Sequence, residues 1–492
     1  MTSDDSLLRP GDTCWRVARA ERVAPLLDNA AYFTAVRAAL LKARRSVWIL
    51  GWQFDPRTVL EPGLEGEGLT ADARLGDLLR NVASRNPGID IRILVWRMDL
   101  PVAASQSFFP MRAVAWFKGG PIDFRLDRAL PIGACHHQKL VIVDGVVAFG
   151  GGGDISVDRW DTPEHPYEDK RRRMPNGRLH PPRHEVMLAL SGPVARALGE
   201  VFRRRWLAAT DEALSLPPPG DGDPWPDHLR PAFRDVRVGV ARTEPAWGGD
   251  PGVNEIERLH LAAIAAARTT LVLENQYVAS PIIETAIDRR LGDPNGPEVI
   301  IITTRQAPSW FDQMTMDRTR AAMVGRLRAA DIYGRFRAYC PVTEGGRGII
   351  VHSKVTIVDD RMLRVGSANL NNRSFGFDTE CDFAVEAEDE ASRAAVTAFR
   401  TRLLSHWLGV TEAEFHAEDE IGGPGLVEAL DRLAAKTGRL VPVEHYKQGP
   451  IRNMIALHHL GDPVEPTDSW LPWLRSRKLR RRSQALLGGN LR

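Results

Sequence analysis

No apolar run in this 492-residue chain approaches the roughly 20 residues that a membrane-spanning helix needs. The first residues, Met1-Thr2-Ser3-Asp4-Asp5-Ser6, are acidic and polar, unlike a secretory signal. A cytoplasmic or peripheral membrane protein is therefore expected. Cysteine is scarce: Cys14, Cys135, Cys340 and Cys381, with no C-x-x-C spacing, read as buried thiols rather than a disulfide framework. Cys135 precedes His137 by two positions, but no Asp/His cluster with metal-ligand spacing accompanies it, so neither a metal nor a cofactor is expected. An excess of either charge is also missing. Sixty-five Lys and Arg against 63 Asp and Glu leave a formal net charge of +2. An extended basic stripe is absent as well, which argues against a nucleic-acid partner.

What is present is a repeat. His352-Ser353-Lys354-Val355-Thr356-Ile357-Val358-Asp359 reads as a β-strand over Val351 to Val358, rich in β-branched residues and ending at Asp359-Asp360. On a strand, His352 and Lys354 share a face, whereas Asp359 falls on the other parity and suits the turn. The same spacing, His-x-Lys-x4-Asp, occurs in His137-Gln138-Lys139-Leu140-Val141-Ile142-Val143-Asp144, 215 positions earlier. Each copy has its own continuation. Gly366-Ser367-Ala368-Asn369-Leu370-Asn371-Asn372-Arg373-Ser374 follows the second; Gly150-Gly151-Gly152-Gly153-Asp154 and Arg159-Trp160-Asp161 follow the first.

This pair of motifs resembles the phospholipase D superfamily, and Asp154, where the second copy has Asn369, resembles its eukaryotic-type branch. Glu274-Asn275-Gln276-Tyr277 resembles a further motif found between the two copies in phospholipases D.

The surrounding chain repeats too. Strand and helix patterns alternate, which indicates an α/β layer structure. The segment Ala43 to Phe54 lines up without a gap with the one ending Glu274-Asn275-Gln276-Tyr277, and the strand at Ile91 is matched by the one at Val299. A length near 500 residues suits two domains of about 200 residues each. The expected organisation is an N-terminal half (1–213) with the first motif, a Pro/Gly-rich linker (214–235), a C-terminal half (236–415) with the second motif, and a C-terminal extension (416–492). The fold expected is α/β: two similar halves, each a β-sheet flanked by helices, related by pseudo-two-fold symmetry with the active site at their interface.

Three stretches stand outside the repeat. The insertion 161–183 carries Lys170-Arg171-Arg172-Arg173 and reads either as a solvated loop or as a lid that brings cations to a phosphate headgroup or an anionic membrane surface. A loop holds Ser105 to Gly120. The tail holds Trp470 and Trp473 followed by Arg475, Arg477, Lys478, Arg480, Arg481 and Arg482, which suits either anionic-lipid contact through 470–482 or a frayed basic terminus.

Cleaving a phosphodiester requires a nucleophile, an acid for the departing alkoxide and cations for the non-bridging oxygens. His137, His352, Lys139 and Lys354 supply all three, with Asp144 and Asp359 completing the motifs. The resemblance implies His137 as nucleophile through a phosphohistidine and His352 as general acid. It assigns the imidazole-orienting carboxylate to Glu380, 28 positions after His352, and the corresponding candidate in the first half is Glu185. It also places Ser367 and Asn369 at phosphate-contacting positions, with Gly152 and Asp154 as first-half counterparts; the Asp154 carboxylate suits orientation of a Lys or Arg. The function implied is hydrolysis or transfer of phosphatidyl groups by a monomer acting on phospholipid at a membrane surface. A cardiolipin-synthase-like transferase, a nuclease or other phosphodiesterase, and a non-catalytic lipid-binding module are the alternatives. Two intact motifs weigh against the last, which has no need of a second histidine.

Overall fold

The computed structural model describes residues 5–63, 72–98, 110–218, 222–309, 312–421, 425–444 and 458–488. Parts of the anticipated loop and linker, 105–109 and 219–221, lie outside these residues.

The strands are apolar on both faces. In Ser46–Gly51, Val47 and Ile49 enter one core while Trp48 and Leu50 enter another, as the two-residue period of a strand requires. Thr270–Asn275 does the same with Leu271 and Leu273 against Val272. Burial on two faces explains why these segments read as nearly continuous apolar runs.

The strands join into one sixteen-stranded sheet with a palindromic order. From one edge the first half runs Ile122–Asp127, Asp90–Trp96, Ser46–Gly51, Leu140–Val143, Val147–Gly151, Val186–Ser191 and Arg16–Leu27. The second half mirrors this inward to outward: Phe233–Glu244, Glu380–Glu386, Met362–Gly366, Lys354–Val358, Thr270–Asn275, Glu298–Ile302 and Phe336–Pro341, with two further strands, Leu440–Pro442 at its outer edge and Val253–Asn254 on Phe233–Glu244. The long strands Arg16–Leu27 and Phe233–Glu244 pair antiparallel at the centre, with Arg16 opposite Val240 and Val23 opposite Phe233.

Helices cover both faces. Pro193–Thr210 and Glu390–Leu408 place Leu198, Phe202, Trp206, Leu403 and Trp407 in a core shared by the two halves. On the opposite face each half has its own core, under Asp28–Lys42 and Leu75–Arg85 in the first and under Glu255–Ala266, Pro281–Leu291 and Arg318–Ala330 in the second.

Several details differ from the sequence expectations. The central strand begins at Phe233, inside the stretch read as linker, and Trp225 is buried there with its Nε1 donating to Leu229 O. Neither motif histidine lies on a strand of the large sheet. The second-motif strand breaks after Ile350–Val351 and resumes at Lys354–Val358, and the first-motif strand starts only at Leu140. The reason is pairing across the halves: His137 N donates to Thr379 O (2.9 Å) and His352 N donates to His184 O (2.9 Å). A two-stranded parallel ladder of Arg183–His184 with Ile350–Val351 leads directly into His352.

The insertion 161–183 is partly anchored rather than wholly solvated: Lys170 and Arg173 are exposed, but the other two cations of its basic run are held. Arg172 is buried, with Nη2 donating to Pro166 O (2.6 Å) and Tyr167 O (3.2 Å), and Arg171 is held by Asp169. The C-terminal tail is a helix, Pro472–Gly488, so the frayed-terminus reading fails there. Among the described residues no helix is long and apolar enough to cross a membrane.

Candidate active site

His137 and His352 line one cleft of about 420 Å³ at the junction of the halves, together with Trp52, Trp96, Arg159, Arg183, Tyr277 and Asn369. Each imidazole is held by a carboxylate from the opposite half. His137 Nδ1 lies 2.9 Å from Glu380 Oε2, and His352 Nδ1 lies 2.6 Å from Glu185 Oε2. His137 Nδ1 also stands 3.0 Å from Ser367 O. A carbonyl oxygen only accepts, so Nδ1 carries the hydrogen and the Nε2 lone pair is left for the cleft.

Both carboxylates are fully buried. Glu380 accepts from Ser367 Oγ (2.5 Å) and Ser374 Oγ (2.7 Å). Burial pushes its pKa up to about 8, against the opposing pull of Lys139, and pushes that of Glu185 up to about 7, against Lys354. Burial, then the adjacent lysines, hold both imidazoles well below the usual histidine range. Burial likewise brings Lys354 down to about 7 despite Glu185. Burial thus opposes the charged forms of both glutamates, both imidazoles and Lys354. Gly152 permits the approach, since a Cβ there would overlap Glu185 Oε1.

The lysines are buried, Lys139 with Nζ donating to His137 O (2.7 Å) and Lys354 with Nζ donating to His352 O. Lys139 Nζ is also 3.5 Å from Asp154 Oδ2, and the Asp154 Oδ1 accepts from Trp52 N and Gln53 N (2.8 and 3.0 Å). Asp154 thus stands between Lys139 and the turn after Ser46–Gly51.

The other motif residues divide. Asp144 and Asp359, grouped with the catalytic residues in the sequence, are not in the cleft. Asp144 accepts from the backbone N–H of Arg44, Arg45 and Ser46, and Asp359 from those of Arg268, Thr269 and Thr270. Both adopt positive φ, 54° and 51°, at the tight turn after the motif strand, a conformation short polar side chains tolerate. Ser367 does not line the cleft either; its Oγ bonds Glu380 and accepts from Cys381 N. Asn369 does line it, with Oδ1 lacking a hydrogen-bond partner.

Arg159 and Arg183 are the cleft residues that sequence reasoning missed. Arg183 Nε and Nη1 are buried without hydrogen-bond partners, donors available to an anion, while Arg159 Nε is buried with only the Asp158 carboxylate near it, at 3.4 Å. Their signals were weak: Arg183 stands just ahead of the apolar strand Val186–Ser191, and Arg159 lies in a turn after the first motif. From the motif Glu274 to Tyr277, Gln276 and Tyr277 reach the cleft, while Glu274 sits behind it, bonded to His184, Ser353 and Trp407. The C-terminal extension contributes as well: Gly461 lines the cleft and Asp462 accepts from Asn372 N (3.0 Å) and Arg373 N (2.8 Å). A larger hollow, about 1230 Å³, opens between Arg57, Arg74, Trp160 and the insertion, but it contains neither histidine.

Residues 39–217 match the family model described as "Phospholipase D", and residues 261–404 match "Cardiolipin synthase, PLD-like domain". Phospholipase D1 of Schizosaccharomyces pombe is 24% identical over 483 residues, covering 77% of this chain and 34% of the relative. Phospholipase D2 of Bos taurus is 24% identical over 466 residues, covering 74% and 49%. Phospholipase D alpha 1 of Nicotiana tabacum is 24% identical over 540 residues, covering 81% and 66%. The chain thus spans between a third and two thirds of the length of these relatives. The solved phosphatidylserine synthase of Haemophilus influenzae shares the fold, with a TM-score of 0.54 at 15% identity over 85% of this chain and 93% of that one. With a family model on each half, each spanning one copy of the histidine–lysine motif, the chain belongs to the phospholipase D superfamily.

Proposed function

We propose that this protein is a phospholipase D-type phosphodiesterase that hydrolyses or transfers the phosphatidyl group of glycerophospholipids. The observation that carries this is the crosswise arrangement of two imidazoles, each locked at Nδ1 by a buried glutamate, at one cleft with two incompletely paired guanidinium groups.

In the proposed reaction His137 Nε2 forms a bond to phosphorus while the bond to the headgroup oxygen breaks. His352 donates its Nε2 proton to that oxygen. The approaching anion offsets the lysine and arginine charges that otherwise oppose protonation of His352. In the second step neutral His352 takes a proton from water or an alcohol, whose oxygen displaces His137 from phosphorus. Arg159 and Arg183, with Lys139 and Lys354 behind them, balance the charge on the non-bridging oxygens. Trp52 and Trp96, stacked with ring centroids 6.0 Å apart, give the cleft an aromatic wall suited to a quaternary ammonium headgroup.

The assay is incubation with phosphatidylcholine and a primary alcohol, following both choline and phosphatidyl-alcohol. Release of choline with either lipid product supports the reading. Turnover of a soluble phosphodiester without any turnover of phospholipid would overturn the lipid assignment.

The charge sink in this proposal is made of side-chain cations, and the cleft carboxylates already have partners, Asp312 on Ser309, Asp378 on Arg373 and Glu380 on two serines. Brief exposure to excess EDTA therefore leaves turnover of a soluble diester intact. Loss of turnover on adding chelator, with immediate rescue by a divalent ion, would contradict a cation-only charge sink.

Membrane contact through 470–482 is proposed in narrower form. Arg475 is buried on Asp468 and Lys478 pairs with Glu465, both just ahead of the helix, and Arg482 pairs with Glu257 in the second half, so half of the six cations are already paired. Trp470 and Trp473 remain 75% and 56% exposed. Truncation would also strip the buried Leu479 from its contacts, so point changes are the better probe. The variant Trp470→Ala/Trp473→Ala is expected to bind anionic vesicles about tenfold more weakly and to turn over a soluble diester at the wild-type rate. Equal vesicle sedimentation of variant and wild type would remove the tail from the membrane contact.

A further inference from the structure

A second group of polar side chains converges away from the cleft lining. Asp28, His165, His184 and His406 each offer one ligand-type atom, and these atoms all lie within 4.8 Å of one another. Asp28 opens the helix Asp28–Lys42, His165 belongs to the insertion 161–183, His184 ends the short strand Arg183–His184, and His406 lies in the last turn of Glu390–Leu408. The side chains of Asp28, His165 and His184 are at most 1% exposed and that of His406 is 9% exposed.

The inward atoms are unsatisfied. Asp28 Oδ2, His165 Nε2, His184 Nδ1 and His406 Nε2 are all buried without a hydrogen-bond partner. Four such atoms facing one small space is an expensive arrangement for a protein interior unless something binds all four. The outward atoms, by contrast, are fixed: His165 Nδ1 lies 2.9 Å from Asp161 Oδ2, and His184 Nε2 lies 3.1 Å from Glu274 Oε1. A carboxylate on the outer nitrogen, with the other nitrogen turned inward, is how metal-ligating histidines are oriented. Trp407 closes the group, its ring 4.3 Å from that of His184 and 5.9 Å from that of His165.

We propose that Asp28, His165, His184 and His406 form a structural zinc site that ties the insertion to both halves of the protein. Three imidazoles and one carboxylate with no open position match tetrahedral zinc of the structural kind. Bonds of about 2.0–2.1 Å would set the ligand atoms roughly 3.4 Å apart. Asp28 Oδ1 already lies 3.5 Å from His165 Nε2, and Asp28 Oδ2 lies 4.0 Å from His406 Nε2. His184 Nδ1 approaches Asp28 Oδ1 more closely, at 2.8 Å, without hydrogen-bond alignment. The ion would act through position rather than chemistry. Asp28 Oδ1 accepts from Glu185 N (3.3 Å) and His184 O accepts from His352 N (2.9 Å), so the site braces the backbone on both sides of the Glu185–His352 pair.

The test is elemental analysis of the full-length protein purified without chelator, followed by prolonged stripping and titration of the stripped protein with Zn²⁺ or Co²⁺ alone. The expected result is one zinc per chain, a lower melting temperature after stripping, and tetrahedral Co²⁺ absorption on reconstitution. His406→Asn is expected to lower metal content at least tenfold, whereas His137→Asn/His352→Asn retains it. Two results would overturn the proposal. Absence of metal as purified, with no uptake by the stripped protein, would leave a protonated His184 held between Asp28 and Glu274. Loss of metal in the double variant would place the ion in the cleft instead.

Discussion

His137→Asn and His352→Asn are each expected to lower turnover of a phosphatidylcholine substrate on the order of 10⁴-fold or more, with the protein remaining folded. Each substitution preserves a polar group of similar reach. His137→Asn removes the only nitrogen proposed to bond phosphorus. His352→Asn removes the proton donor for an alkoxide that leaves poorly without one. Neither histidine belongs to a hydrophobic core: both line the cleft, and the backbone N–H bonds to Thr379 and His184 persist in any residue but proline. The losses should diverge with the leaving group. A substrate that releases p-nitrophenolate needs no acid, so the first step in His352→Asn is expected to recover while His137→Asn stays inactive. Equal recovery of both variants would contradict the division of roles.

The second large effect concerns the carboxylates, and the structure predicts an asymmetry between them. Replacing either glutamate by glutamine leaves the side-chain shape but lets an amide N–H face Nδ1, favouring the wrong imidazole tautomer. His137 Nδ1 has a second acceptor in Ser367 O at 3.0 Å, which still demands a hydrogen on Nδ1. His352 Nδ1 has Glu185 at 2.6 Å as its acceptor. Glu185→Gln is therefore expected to cost about 10³- to 10⁴-fold in kcat, and Glu380→Gln about 10²-fold. The measurement is steady-state kinetics of both variants on one soluble diester. Equal losses, or the larger one in Glu380→Gln, would mean that the Ser367 carbonyl does not fix the tautomer.

The stability of Glu380→Gln carries a signed pH effect. Its folded pKa, about 8, lies above the ordinary 4.5, so its contribution to stability is complete below that ordinary value and is lost as pH rises through 8. Relative to wild type, Glu380→Gln should gain stability between pH 5 and 8, read by denaturant unfolding at several pH values. A difference that stays constant with pH would show that Glu380 titrates alike in folded and unfolded chains.

The halves, their similarity and the meeting of the two histidines were legible because they rest on local periodicity and a repeated eight-residue pattern. The partner exchange was not. That Glu380 serves His137 and Glu185 serves His352 depends on strands separated by more than a hundred residues, and a sequence gives no sign of which glutamate crosses over. The expected continuous strand from Val351 to Val358 does not form, because pairing of His352 to His184 interrupts it at His352 and Ser353. Arg159, though noted in the continuation of the first motif, and Arg183 were not read as cleft residues, because buried arginines resemble surface arginines in a sequence. The same holds for Asp28, His165, His184 and His406, whose spacings of 137, 19 and 222 positions form no ligand motif. The tail misled in the opposite sense: its cations read as one patch, yet Arg475 is a core residue.

The central claim, that this protein cleaves phosphodiesters through a phosphohistidine on His137, is tested most directly by the intact mass of His352→Asn after mixing with a p-nitrophenyl phosphodiester. The account predicts accumulation of a covalent adduct of the phosphoryl fragment, because the acid is dispensable for departure but the same residue is needed to activate water. The adduct should map to His137 and be absent from His137→Asn. An adduct on the His137→Asn protein, mapped to His352, would contradict the assignment and reverse the two roles.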